Sequence, residues 1–358
     1  MWTMTPGVRV RLTVAAMILP VLLGAGALPA QDREPAESPG ASAGERVPEG
    51  TETAFALTDP RIAESSGMAA SVRHEGVYWT HNDSGPQYGP DVYAVDERGE
   101  TVATVRLAGD GVEARDWEAV AVGADDAGEP AVYVADIGDN YQGGWPDVRV
   151  YRLPEPRDLV DQTVTATAFT LAYADGGRDA EGILVDPRDN RLYVVSKELA
   201  GGLYAAPERL DPEAVNTLTR VGPAPLFATD ASFSPDGGYY AIRTYWSVAV
   251  YDASEGVPGR STARLGLPES DQGESLAYTR DGTALLAGTE GVGSPVWRVP
   301  LPETEPAPAA PSEEESRPSG GGEASGPRED GGAGLLILGG VGVALVVVLA
   351  ITWLARSG

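Results

Sequence analysis

Between residues 51 and 301, apolar and polar positions alternate in short runs broken by Gly, Asp, Asn and Pro, and no run of ten or more residues keeps a helical period. A period of two puts every second side chain on a buried face, so the pattern predicts a succession of short strands. The clearest passage is residues 116–140, DWEAVAVGADDAGEPAVYVADIGDN. A carboxylate-led opener runs into an apolar strand, a polar turn, and a second strand that ends in an acidic cluster. The design returns four more times. SGMAAS, EAVAVG, EGILVD, TDASFS and ESLAYT open the copies at Ser66, Glu118, Glu181, Thr229 and Glu274. Second strands follow at GVYWTHND, AVYVADIGDN, RLYVVSKE, YYAIRTYW and ALLAGTE, and third strands at VYAVD, VRVYRLP, LYAAP, VAVYD and VWRVP. Outer strands are predicted at TVATVRL, TATAFTLAY, TLTRV and STARLGL.

Openers about 45 to 63 residues apart, with four strands to a copy, match the blade length of a β-propeller better than a sandwich. The expected fold is therefore all-β, with five four-stranded blades and six as the alternative count. The fifth copy has no outer strand after Leu301, and an orphan strand near residues 53–57 can supply it. Such closure removes the free sheet edges of an open array. Asp236-Gly237 and Asp281-Gly282 read as tight hairpin turns, because Gly takes the positive φ that these turns require. SPDG at 234–237 resembles the strand-turn element of TolB-type and WD-repeat-like bacterial propellers. Together with DWEAVAV, DAEGILVD and GESLAYT, it makes residues 51–301 similar, more loosely, to propellers described as phytase-like esterases or SdiA-regulated proteins. Those motifs mark blades, and the histidine-rich sets of other propeller enzymes are missing, so the resemblance implies a fold and carries over no catalytic residue.

The flanks have a different character. Arg9 and Arg11 precede an apolar run at 12–28 that ends near Ala30, the layout of a signal peptide over residues 1–30. Residues 31–50 read as a disordered spacer, and 302–333 as a stalk of Pro, Glu, Ser and Gly. Residues 334–354 then run for 21 positions without a charge, enough to span a hydrocarbon core of roughly 30 Å as one C-terminal transmembrane helix. Residues 355–358 are left as a cytoplasmic tail. LPETE at 301–305 departs from the sortase signal at its fifth residue and stands too far from the span, so it reads as a strand end. The expected location is the cell membrane, crossed once, with the propeller outside.

The net charge of −27 repels phosphate backbones and argues against nucleic-acid partners. Without cysteine, disulfides and thiolate chemistry are excluded. His74 and His81 are the two histidines, too few for a multi-histidine metal centre. Lys197 is the one lysine.

In a propeller, first strands line the channel and second strands run antiparallel to them, so openers and second-strand ends share a face. This gathers Ser66, Asp116, Glu118, Asp179, Glu181, Asp230 and Glu274 with His81, Asn82, Asp83, Asp136, Asp139, Asn140, Lys197, Glu198, Arg243 and Glu290. Arg115, Arg178 and Tyr245 lie nearby in the sequence. The candidate ligand or metal site comprises Glu118, Asp136, Asp139, Asn140, Glu181, Glu198, Glu274 and Asp83, with His81, Asn82, Lys197 and Arg243 as polar or cationic partners. Asp136, Asp139, Glu118 and Glu181 are the candidate metal ligands. Hard oxygen donors on several blades suit Ca²⁺, the one cofactor the pattern suggests. His81 is a candidate base or ligand at the mouth, and Tyr141 and Trp145 sit on a Gly-rich loop suited to binding.

The leading functional expectation is a monomeric, membrane-anchored propeller that binds a small molecule or surface protein through its channel face. The alternatives are a metal-assisted phosphoester or ester hydrolase and a structural surface or assembly domain.

Overall fold

Every regular element among the residues that the computed structural model describes, 46–302 apart from 84–86 and 142, is a strand. In chain order, β1 (Glu52–Ala56) precedes a first antiparallel group of β2 (Ser65–Ala70), β3 (Val77–Asn82), β4 (Asp91–Asp96) and β5 (Thr101–Ala108). Next come β6 (Trp117–Ala124), β7 (Pro130–Asp136), β8 (Val148–Pro154), β9 (Gln162–Thr165) and β10 (Thr167–Tyr173). β11 (Ala180–Val185), β12 (Leu192–Ser196), β13 (Gly202–Ala205) and β14 (Asn216–Pro223) follow, then β15 (Ala228–Phe233), β16 (Tyr239–Thr244), β17 (Ser247–Asp252) and β18 (Arg260–Gly266). β19 (Leu276–Tyr278), β20 (Ala284–Gly288) and β21 (Pro295–Pro300) end the series.

Short Val-, Ala- and Tyr-rich runs form these strands because both faces of the inner ones are covered, and all six residues of β11 are buried. The strands β2, β6, β11, β15 and β19 each pack on the next, and β19 packs back on β2, so the inner strands close a ring. β1 pairs antiparallel with β21, as the orphan strand was expected to do. The resulting sheet, β1-β21-β20-β19, joins the two ends of the domain. Buried clusters lie between neighbouring groups of strands. Phe55, Met68, Val95, Leu286 and Val296 fill the one across the closure. Each such side chain contributes about 1.5–3 kcal/mol by leaving water, and a chain without cysteine has no covalent substitute.

Three features differ from the sequence reading. The predicted outer strand TATAFTLAY is broken at Ala166, whose N–H donates to the Ala108 carbonyl at 2.8 Å. β9, immediately before the break, pairs parallel with β5, and β10, after it, pairs with β8, so one segment ties two neighbouring groups together at their outer edges. β10 also pairs in parallel with β14, which merges two groups into one eight-stranded sheet. Both predicted Asp-Gly turns are wider than two-residue hairpins. Ser234 N donates to Tyr239 O at 2.8 Å and Thr279 N to Ala284 O at 2.9 Å, each across a four-residue connection, with Gly237 and Gly282 at φ +73° and +70°. Finally, within the predicted spacer 31–50, the Arg46 carbonyl accepts a 3.0 Å bond from Gly266 at the end of β18. The predicted signal segment, stalk, membrane run and tail lie outside the described residues. Among the described residues, no helix is long and apolar enough to cross a membrane.

Candidate functional site

The openers owe their direction to a repeated irregularity. β2, β6, β11 and β15 each shift register against their second strand, between Ser65 and Met68, Trp117 and Ala119, Ala180 and Gly182, and Ala228 and Asp230. Ser66, Glu118, Glu181 and Thr229 fall within these shifts. A bulged residue leaves the ladder and re-aims its side chain. That lets Glu118 and Glu181 turn into the channel mouth where a regular pleat would bury Val or Ala.

One carboxylate oxygen from each of Glu118, Glu181 and Glu274 lies within 4.8 Å of the others, and all three residues are buried, at 3–4% exposure. The Ser66 hydroxyl sits between two of them, 3.1 Å from Glu118 Oε2 and 3.3 Å from Glu274 Oε2. Lys197 Nζ donates to Glu181 Oε1 and lies 5.2 Å from the centre of the Tyr245 ring. Glu181 Oε2 is buried and accepts no hydrogen bond among the described residues. A second carboxylate group, Asp83 with Asp116, shares Glu118 with the first.

Burial holds the Glu118 carboxyl well above its ordinary range, and the charges of Glu181, Asp83, Asp116 and Glu274 push it further. Glu181 is raised by burial and by Glu274, against the pull of Lys197. Asp116 is raised to about 6 by burial, which outweighs an opposing backbone hydrogen bond, and by its neighbours Asp179, Asp136 and Asp139. Glu290 is raised to about 8 by burial, Glu274, Asp83 and Glu64. Lys197 is held protonated, its burial more than offset by Glu181.

Arg243 stands behind this group, fully buried, and donates from Nη1 to the carbonyls of Ser275 and Gly288 at 2.6 Å each. Burial lowers it to about 10, against the attraction of Asp230 and Glu274, so it remains charged at neutral pH. Asp230 faces it across the β15–β16 ladder and accepts from the Leu276 and Ala231 N–H groups at 2.6 and 2.7 Å.

Other predicted residues are not brought into the cluster. Asp136 accepts from Asp116 N, the Tyr151 hydroxyl and Arg115 Nε, at 3.1, 3.0 and 3.3 Å. Asp139 accepts from Tyr141 N and Trp145 N at 3.0 and 2.8 Å and thereby shapes its own loop, while its N–H donates to Asp179 at 2.8 Å. These contacts occupy three of the roughly four lone pairs of Asp136 and two of those of Asp139. Asn140 is exposed, with its amide 3.4 Å from Asp116. Glu198 pairs with Arg178 at 3.3 Å and accepts from the Ser196 hydroxyl at 2.7 Å. Asn82 bridges backbone groups of Arg61, Ala63 and Glu64 at 2.8–2.9 Å. His81 is fully buried, with Nδ1 2.9 Å from the Asn82 carbonyl, and burial lowers it to about 4, so it is neutral and sealed off from the mouth. Trp145 packs under the Arg115 guanidinium at 5.0 Å, and Tyr141 is 76% exposed.

Sequence reasoning missed two glycines. A Cβ at Gly138 would stand 2.4 Å from Glu118 Oε1 and 2.7 Å from the Asp116 carboxyl, and one at Gly273 would stand 2.3 Å from Arg243 Nη2. Their signal is the Gly set beside acids in DIGDN and DQGES. At the opposite end of the inner strands a cavity of about 740 Å³ opens, walled by Val120, Val122, Ile183, Val185, Ala231 and Phe233.

No family model matches the chain, and no curated protein matches it. Among solved structures it is similar to the β-propeller domain of Cps50 (Swd1) from Myceliophteria thermophila. Identity is 12% over 70% of this chain and 99% of that one, with a TM-score of 0.39. The closed ring of inner strands, with antiparallel sheets running outward from it, makes the described domain an all-β, β-propeller-like fold.

Proposed function

We propose that this chain is a five-bladed propeller, related to the exported TolB-type and WD-repeat-like kind, that binds a ligand or partner through a cation held at its acidic channel mouth. The convergence of buried Glu118, Glu181 and Glu274 from three inner strand regions carries this reading. Oxygens on opposite sides of Ca²⁺ stand about 5 Å apart, so three oxygens within 4.8 Å fit around one ion. Ca²⁺ takes about six to eight oxygens, which leaves positions open for an external carboxylate, phosphate or hydroxyl. In this reading the predicted signal segment and the apolar run at 334–354 favour a domain exported and tethered by a single membrane anchor, where Ca²⁺ is plentiful.

Added Ca²⁺ at about a hundred times its Kd stabilises the folded state by about 2.7 kcal/mol through linkage. For a domain of this size that raises Tm by about 5–10 °C. Scanning calorimetry of the full-length chain with millimolar Ca²⁺ and then with chelator measures it, and an unchanged Tm removes the cation from the reading.

A second reading, metal-assisted hydrolysis of a phosphoester or ester, is favoured by one observation. Asp116 near 6 and Glu290 near 8 bracket neutral pH, where a proton carrier is most effective. Turnover of a phosphoester and ester panel, lost in Glu290→Gln with folding intact, is its expected result. A blank panel leaves binding alone.

A further inference from the structure

We propose that Lys197 is a tethered competitor for the cation site: its ammonium neutralises Glu181 while no metal is bound and leaves when Ca²⁺ enters. The inference rests on the cation reading above and adds its regulation.

Lys197 is the one lysine of a chain that otherwise uses arginine, and it stands at the carboxylate cluster. The two residues differ in what they can do there. Arg243 is fixed by two carbonyls at 2.6 Å and has no exposed surface, so it belongs to the framework. Lys197 is a point charge on a flexible four-carbon stem, its side chain 20% exposed, with the Glu181 carboxylate and the Tyr245 ring as its partners. The ring, 5.2 Å away, gives the ammonium a resting place once Glu181 lets go.

The carboxylates are only half used in this state. Glu181 gives Oε1 to the ammonium, while Oε2, in a residue that is 4% exposed, accepts no hydrogen bond among the described residues. A buried carboxylate oxygen without a donor is costly, and it is the group that an entering cation satisfies. A divalent ion brings these oxygens twice the charge of the ammonium. With both present, two positive charges would share one carboxylate at short range, so their occupancies oppose each other.

The test uses the purified full-length chain stripped with chelator, and Ca²⁺ as the ligand. Lys197→Met is expected to bind Ca²⁺ at least tenfold more tightly than wild type by titration calorimetry, and Lys197→Arg, which restores a cation, to return to wild-type affinity or weaker. In wild type, acylation of Lys197 by an amine-reactive ester is expected to accelerate severalfold with Ca²⁺. Peptide mass mapping reads this cleanly, since no other side-chain amine exists. Equal Ca²⁺ affinity in wild type and Lys197→Met overturns the competitor and leaves the cation site standing. Absence of Ca²⁺ binding in both overturns the two together. If Lys197→Met does not fold, the wild-type labelling decides, and a rate unmoved by Ca²⁺ overturns the proposal.

Discussion

Replacing Arg243 with Met is expected to destabilise the domain by about 2–4 kcal/mol, the cost of leaving two buried carbonyls without their charged donor and Asp230 without a nearby positive charge. The loss has three parts. The carbonyls of Ser275 and Gly288 lose a charged donor at 2.6 Å. Asp230, fully buried, keeps its two backbone donors but loses the guanidinium that balances it. Glu274 loses a buried positive charge that attracts it. Since domains of this kind are held by about 5–15 kcal/mol in total, a large share is at stake. Arg243→Lys keeps the charge and one donor position, and is expected to cost about 2 kcal/mol. Urea denaturation of both variants measures the effect, and a loss below about 1 kcal/mol for Arg243→Met would show that the guanidinium is dispensable. A like change at Trp246, 63% exposed, is expected to shift stability by no more than about 0.5 kcal/mol.

The metal-free protein is expected to lose stability as pH rises from 5 to 8.5, opposite to the trend set by salt-bridged carboxylates. The sign follows from the direction of the shifts. Asp116 and Glu290 have folded values raised to about 6 and about 8, and Glu118 is raised as well, while Glu181 is paired with the Lys197 ammonium. Between the unfolded and folded values, the native state holds protons that the unfolded chain has released. Stability from these groups is therefore complete below about 4 and is lost as pH climbs through about 6 and then about 8. Asp59, lowered to about 2 by the Arg61 guanidinium, acts in the opposite sense but only below about 4. Asp116 and Glu290 are partly solvated, so after discounting for screening their joint contribution is on the order of 2 kcal/mol.

Glu274→Gln sharpens this prediction, because Glu274 is among the charges that raise Glu118, Glu181 and Glu290. The variant is expected to be more stable than wild type at pH 8 without metal, to flatten the pH dependence, and to lose its Ca²⁺ response. Thermal melts from pH 5 to 8.5, with and without Ca²⁺, measure all three. Wild-type stability that rises with pH in the absence of Ca²⁺ would refute the account.

The strands were legible because period-two alternation and the Asp-Gly turns are local signals, and because the copies repeat. The closure by β1 was legible for a different reason: the fifth copy lacked a strand and residues 53–57 had no partner. The bulges at 66, 118, 181 and 229 left no such trace. A bulge is a mismatch between two strands, and neither strand alone encodes it. The acids were found as a set and could not be sorted. DIGDN supplies Asp136, which is held by Asp116 N, Tyr151 and Arg115, and Asp139, which holds its own loop, whereas the less conspicuous opener Glu274 reaches the centre. His81 looked like chemistry because histidine is rare here, yet burial removes its proton and its access. The break at Ala166 was not legible because it is defined by partners, β5 for one half and β8 for the other, and neither is written in the segment itself.

The closing strand has a mechanical consequence. β21 lies between β20 and β1 and pairs antiparallel with both. A load applied at Leu301 therefore runs along β21 and is shared by two ladders at once. The bonds are sheared together, where a free edge strand would be peeled one bond at a time. Forced unfolding is governed by the unfolding rate, so a pull on this end meets two ladders loaded in shear.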